Sequence, residues 1–209
     1  MIEISNLGLF ITMSWILILT PGPDIIYVIT RGMSLGRKAG LYSAFGVTLG
    51  LLVHTTFAAL GLSIILKSSG MVFQIIKYLG AGYLLYLGVR AIIERNKFTI
   101  NKNHNNLNKS RIFIQGLLSN VFNPKVALFF LAFLPQFVRS DASGNAISMV
   151  VLGLLFTVFG FVFLCIVGYF SGYVGAQLLK KPNIARYLQY ISGIVMIALG
   201  VRLAFLKKK

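Results

Sequence analysis

The chain has 209 residues, of which 57% are hydrophobic and 11% charged, and its mean hydropathy is +0.83. A soluble domain of this size carries roughly 25% charged residues, so the composition excludes an ordinary soluble fold and indicates an all-α, polytopic membrane protein. The net charge of +16 comes from 20 Lys and Arg against 4 Asp and Glu, but these bases are spread over short loops and chain ends without a basic-aromatic module, which argues for a lipid-bilayer partner and no nucleic acid.

Apolar segments of spanning length fall at residues 5–30, 41–66, 71–93, 112–138, 147–177 and 184–206. A helix needs about 20 residues to cross the hydrocarbon core, so six transmembrane helices are expected. The first segment has neither a basic n-region nor a small-residue cleavage site, and reads as a retained span rather than a signal peptide. It is interrupted by Thr20-Pro21-Gly22-Pro23-Asp24, which puts an acid where hydrocarbon is expected. The glycine-rich basic stretch Arg31–Gly40 reads as the turn into the second span. In that span Gly46 and Gly50 make a small-xxx-small face, as Gly168 and Gly172 do later; intramolecular packing explains them, with a homodimer as the other use. His54, also in the second span, is a candidate proton relay, although a lone histidine in a bundle more often serves as a hydrogen-bonded structural group.

Residues 94–111 form a long polar stretch with an Asn- and Lys-rich core, expected to be a flexible cytoplasmic linker between a first three-helix unit (residues 1–93) and a second (residues 112–209). The fourth span carries the second break, Asn123-Pro124-Lys125, with Asn120 one turn before it. Cys165, the single cysteine, sits in the fifth run as a small packing residue and excludes an intramolecular disulfide. The sixth run completes a repeat: Lys77–Arg90 aligns with Gln189–Arg202 at an offset of 112, Gly46 with Gly153 at 107, and Thr20-Pro21 with Asn123-Pro124 at 103. Three spans per unit is an odd number, so the units enter the membrane from opposite sides, as two inverted three-helix repeats with helices 1 and 4 broken at the Pro motifs. Counting Lys and Arg, the loops after spans one, three and five hold 12 against 7 on the opposite side, which places those loops inside; the terminal Lys207–Lys209 cluster opposes this.

The chemistry follows from the breaks. Pro21, Pro23 and Pro124 each remove a backbone donor and free a carbonyl, and in a membrane such backbone survives only within protein or beside a watery cavity. The half-helices that begin near Pro23 and Pro124 have amino-terminal ends suited to a carboxylate, while freed carbonyls suit an ammonium group. Such a site matches a zwitterion. Asp24 in the first turn could take a substrate ammonium or a proton; Lys125 could pair with Asp24 or with a substrate carboxylate. A purely structural ion pair is the bland alternative. Asn123 could cap the second half-helix, and Thr20 could meet a freed carbonyl. No catalytic triad, HExxH, Walker loop or zinc spacing is present, so no enzyme activity and no cofactor are expected.

Thr20-Pro-Gly-Pro-Asp24, Gly40 to Gly50, and Asn123-Pro-Lys-Val-Ala-Leu-Phe-Phe-Leu-Ala-Phe-Leu-Pro-Gln-Phe137 resemble the LysE/RhtB (lysine exporter / homoserine-threonine resistance) family, over essentially the whole chain. The resemblance implies a small multi-pass secondary exporter of amino acids in the bacterial inner membrane, driven by protons. It makes Pro21, Gly22, Pro23, Asp24, Asn123, Pro124 and Lys125 the signature residues. A neutral, homoserine- or threonine-like substrate is the nearer branch.

Overall fold

The computed structural model describes residues 6–62, 70–93, 108–138, 145–180 and 182–205. They form an all-α membrane protein. The helices are α1 (Leu7–Leu19), α2 (Pro23–Leu35), α3 (Arg37–Phe57, continued by a π-helical turn Ala58–Leu62), α4 (Gly70–Ile93), α5 (Lys109–Val121) and α6 (Pro124–Leu128, continued by a π turn Phe129–Phe133 and a 3-10 turn Leu134–Phe137). They are followed by α7 (Asn145–Tyr169), α8 (Ser171–Lys180) and α9 (Pro182–Phe205).

Both expected breaks are present, and they are geometrically alike. The α1–α2 pair bends by 47° and the α5–α6 pair by 46°. In each pair the second half-helix starts with proline at its first position, where the missing N–H costs nothing. Among the described residues, three unbroken helices and these two bent pairs are long and apolar enough to cross a membrane. Helix α4, with 24 residues, has a length of ~36 Å at 1.5 Å per residue, enough for the sixth expected span.

Three boundaries differ from those expected from the sequence. The basic turn expected over Arg31–Gly40 is helical except at Gly36, whose φ of 85° is the left-handed conformation that a side chain would strain. Residues 94–107 of the polar linker lie outside the described residues, and its last part is already helix, since Asn108 caps α5 by accepting from the Arg111 amide at 3.0 Å. The fifth apolar run is divided at Phe170 into α7 and the separate helix α8; apolarity alone could not mark that corner.

Close helix crossings are made by glycines. A Cβ on Gly46 would stand 2.1 Å from the Phe113 carbonyl oxygen, and one on Gly40 would stand 2.5 Å from that of Gly168. The Gly46, Gly50 and Gly168 faces are therefore used inside the chain, whereas a Cβ on Gly172 would meet nothing within 4 Å among the described residues. At the α4–α9 crossing, a Cβ on Gly88 would meet the Gly193 carbonyl at 2.7 Å and one on Gly200 the Ala81 carbonyl at 2.9 Å. The two contacts exchange under the offset of 112, and their order along the chain shows the two helices running antiparallel. Helices α3 and α7 also cross antiparallel, with Gly40 on Gly168 and Gly153 on Thr55.

A smaller buried apolar cluster joins Val28, Ala44, Val47 and Leu164, and the larger one gathers side chains of α1, α6 with its turns, and α7. Phe10, Phe129, Phe130, Phe133, Phe137 and Phe156 pack there as one aromatic cluster, the tightest pair being Phe129 and Phe156 at 4.4 Å between ring centres.

Candidate functional site

The two broken helices meet, and their polar residues meet with them. Asp24 lies in the first turn of α2, a favourable position for a carboxylate, and is 9% exposed. Its Oδ2 accepts from the side-chain amides of Asn120 and Asn123, both at 2.8 Å. These donors stand on either side of the second break, so the acid of one broken helix is bound directly by the other. Its second oxygen, Oδ1, is buried without a partner among the described residues, and so is Oδ1 of Asn120. Two buried acceptors without a donor is a costly arrangement. A donor is wanted there.

Lys125 does something else. Its Nζ donates to the carbonyls of Leu17 at 3.0 Å and Thr20 at 2.7 Å, and among the described residues no ion pair joins it to Asp24. The physical reason is in the chain. Pro21 cannot donate to the carbonyl four residues back, which is that of Leu17, and the lysine supplies the missing donor from the other broken helix. Gly22 makes room, because a Cβ there would stand 3.3 Å from Nζ. The carbonyl of Pro21 is served by Ser192 of α9 at 3.2 Å. Thr20 does not meet a carbonyl freed by proline: its hydroxyl bonds to Ile16, which its own amide also reaches.

The second break is treated in the same way. Pro124 leaves the carbonyl of Asn120 without its helical donor, and His54 Nε2–H donates to it at 3.1 Å, with the Asn123 amide at 2.9 Å. The imidazole is stacked on Phe130 at 5.6 Å. Asn123 caps α6 by accepting from the Lys125 amide at 3.1 Å, so that helix end is not open to a substrate carboxylate as expected. At α2 the cap position is Gly22, which brings no side-chain acceptor.

A cavity of about 40 Å³ opens beside Asp24, Asn120 and Lys125, large enough for a few waters. Its other walls are apolar: Leu17, Ile18 and Ile25 from the first broken helix, Val47 and Leu51 from α3, and Val126 from α6. Helix α7 closes it with Phe156, Gly160, Phe163 and Leu164. The sequence does not single out this α7 face, because the run is apolar all round. On the side toward the α2–α3 corner, Tyr27 donates its hydroxyl to the Ile112 carbonyl at 2.8 Å and Arg31 donates to Gln115 at 2.9 Å. These bonds continue the Asp24–Asn120 contact along the facing sides of α2 and α5.

The chain is 30% identical over 202 residues to the uncharacterized membrane protein YrhP of Bacillus subtilis (strain 168), covering 92% of this chain and 95% of that one. It is 26% identical over 205 residues to the leucine efflux protein of Enterobacter sp. (strain 638), covering 96% of each. The leucine efflux protein of Salmonella typhimurium is 26% identical over 196 residues, covering 91% of each. No solved structure matches the chain. The family described as LysE type translocator matches residues 15–207, and the chain belongs to that family of membrane translocators.

Proposed function

We propose that this protein is a secondary exporter of amino acids, working at the junction of its two broken helices. The observation that carries the reading is the pair of buried, donorless oxygens, Asp24 Oδ1 and Asn120 Oδ1, beside an otherwise apolar cavity. An α-ammonium group supplies the donors that these atoms lack, and the anionic carboxylate answers its charge. The third N–H of Lys125, beyond the two given to carbonyls, is available to a substrate carboxylate. The apolar walls take the side chain. None of the lining residues among those described carries a hydroxyl, so an aliphatic side chain suits the cavity better than the homoserine or threonine favoured by resemblance. The leucine efflux relatives point the same way.

Coupling to protons follows from the scarcity of acids. Asp24 is the only carboxylate among the described residues, and one of its oxygens is already saturated. Proton and substrate ammonium would then compete for the same atom, and entry of one would release the other. Two inverted three-helix repeats account for this site: equivalent breaks face each other, and the equivalent helices α3 with α7 and α4 with α9 cross antiparallel. The reading places the protein in the bacterial inner membrane, with the α2–α3 corner cytoplasmic.

Proteoliposomes preloaded with labelled amino acids, given a proton gradient, test the function. Leucine or valine is expected to leave faster than homoserine or threonine. Absence of transport for every amino acid in the panel would sink the exporter reading. Orientation has its own check. A cysteine at exposed Lys38, in a Cys165→Ser background, is expected to react with an impermeant maleimide only from the cytoplasmic side, and labelling only from outside would reverse the topology.

A further inference from the structure

We infer that Gly160 determines which substrate side chains the site accepts, an assignment that rests on the exporter reading above. It lies on the face of α7 that closes the cavity, one turn after Phe156 and one before Phe163 and Leu164. These three neighbours are bulky, so Gly160 is a gap in an otherwise filled wall. A glycine within a helix is unfavourable relative to alanine, and helices tolerate one where something must come close.

The other α7 glycines show what that usually is. A Cβ on Gly153 would stand 2.5 Å from the Thr55 side chain, and one on Gly168 would stand 2.9 Å from the backbone of Gly40. Both are needed for packing against α3. Gly160 is different. Among the described residues, the only atom within 4 Å of a Cβ placed there is Leu51 Cδ1, at 3.0 Å. That atom is the end of a side chain that can yield, and Leu51 itself lines the cavity. Gly160 is therefore not required for a helix crossing, and the volume it leaves belongs to the cavity.

The polar atoms of the site come from α2, α5 and α6, while α7 brings none to the lining. A substrate held by its ammonium group at Asp24 and Asn120 meets the α7 wall with its side chain. The depth available at Gly160, bounded by Leu51, sets the largest aliphatic group that fits. A methyl group at position 160 shortens that depth, and removing the Leu51 side chain extends it.

The test is transport of a graded series, namely alanine, valine, leucine and phenylalanine, by reconstituted full-length protein. Gly160→Ala is expected to lower kcat/KM for leucine on the order of tenfold, the scale of one methyl group in an apolar pocket, while alanine stays within about twofold. Leu51→Ala is expected to move the preference upward, raising phenylalanine relative to leucine. The double variant should return toward the parent profile, because the new methyl group then has room. Equal losses for all four substrates in Gly160→Ala, or unchanged ratios in both single variants, would overturn the assignment while leaving the exporter reading in place. No transport of any member by the parent protein would overturn that reading instead, and this assignment with it.

Discussion

Asp24→Asn is expected to abolish proton-driven accumulation of substrate while leaving a folded protein. An asparagine side chain keeps the shape of the acid, and its oxygen can still accept from the amides of Asn120 and Asn123, which now bond to Asp24 Oδ2 at 2.8 Å. Its NH2 group takes the place of Oδ1, the atom that stands without a donor. The variant is thus fixed in the form of a protonated aspartate, with no charge to answer an ammonium. Loss of a buried charged hydrogen-bond partner costs about 2–5 kcal/mol, so KM for downhill exchange should rise on the order of 10²-fold by the same arithmetic. Exchange at saturating substrate should persist. Labelled leucine flux, measured with and without a pH gradient beside a pH-sensitive dye, separates the two effects. Accumulation at the parent level would show that the proton is carried elsewhere, and Asp24 would then be a structural acid.

The parts of this site that are legible in sequence are those that follow from proline. A proline removes the donor four residues ahead of a particular carbonyl, so Pro21 and Pro124 single out Leu17 and Asn120 by counting alone. Capping by Asn123 follows from the same local rule. What supplies the missing donors does not follow from sequence. Lys125 reaches Leu17 across 108 positions and His54 reaches Asn120 across 66, and local pattern says nothing about contacts of that separation. An opposite-charge pair at paired breaks suggests an ion pair between Asp24 and Lys125. The structure instead gives the ammonium to backbone carbonyls and the carboxylate to amides, which leaves each charge hydrogen-bonded by neutral dipoles. The α7 wall is hidden for another reason. In a uniformly apolar helix every face looks alike, and Gly160 is distinguished only by what fails to approach it.

The geometry of Lys125 leads to the second large effect. Replacing it with methionine keeps much of the volume but removes the donor to the carbonyls of Leu17 and Thr20, both buried at the first break. Each buried group left without a partner costs about 1–3 kcal/mol, so Lys125→Met, which strips two of them, should lose ~2–6 kcal/mol of stability, read as a lower unfolding midpoint in detergent. Transport should fall with it, because the bend that carries Asp24 into the site is no longer held. The Asp24→Asn, Lys125→Met double variant decides between the two roles open to the lysine. An ion pair would make the second substitution compensate the first, since no unpaired buried charge remains. Carbonyl pinning predicts otherwise: the two carbonyls stay bare whatever stands at position 24, and the double variant should remain within about 1 kcal/mol of Lys125→Met in a double-mutant cycle. Recovery of parental stability by the double variant would mean that the charge pair, and not the pinned backbone, holds the two broken helices together.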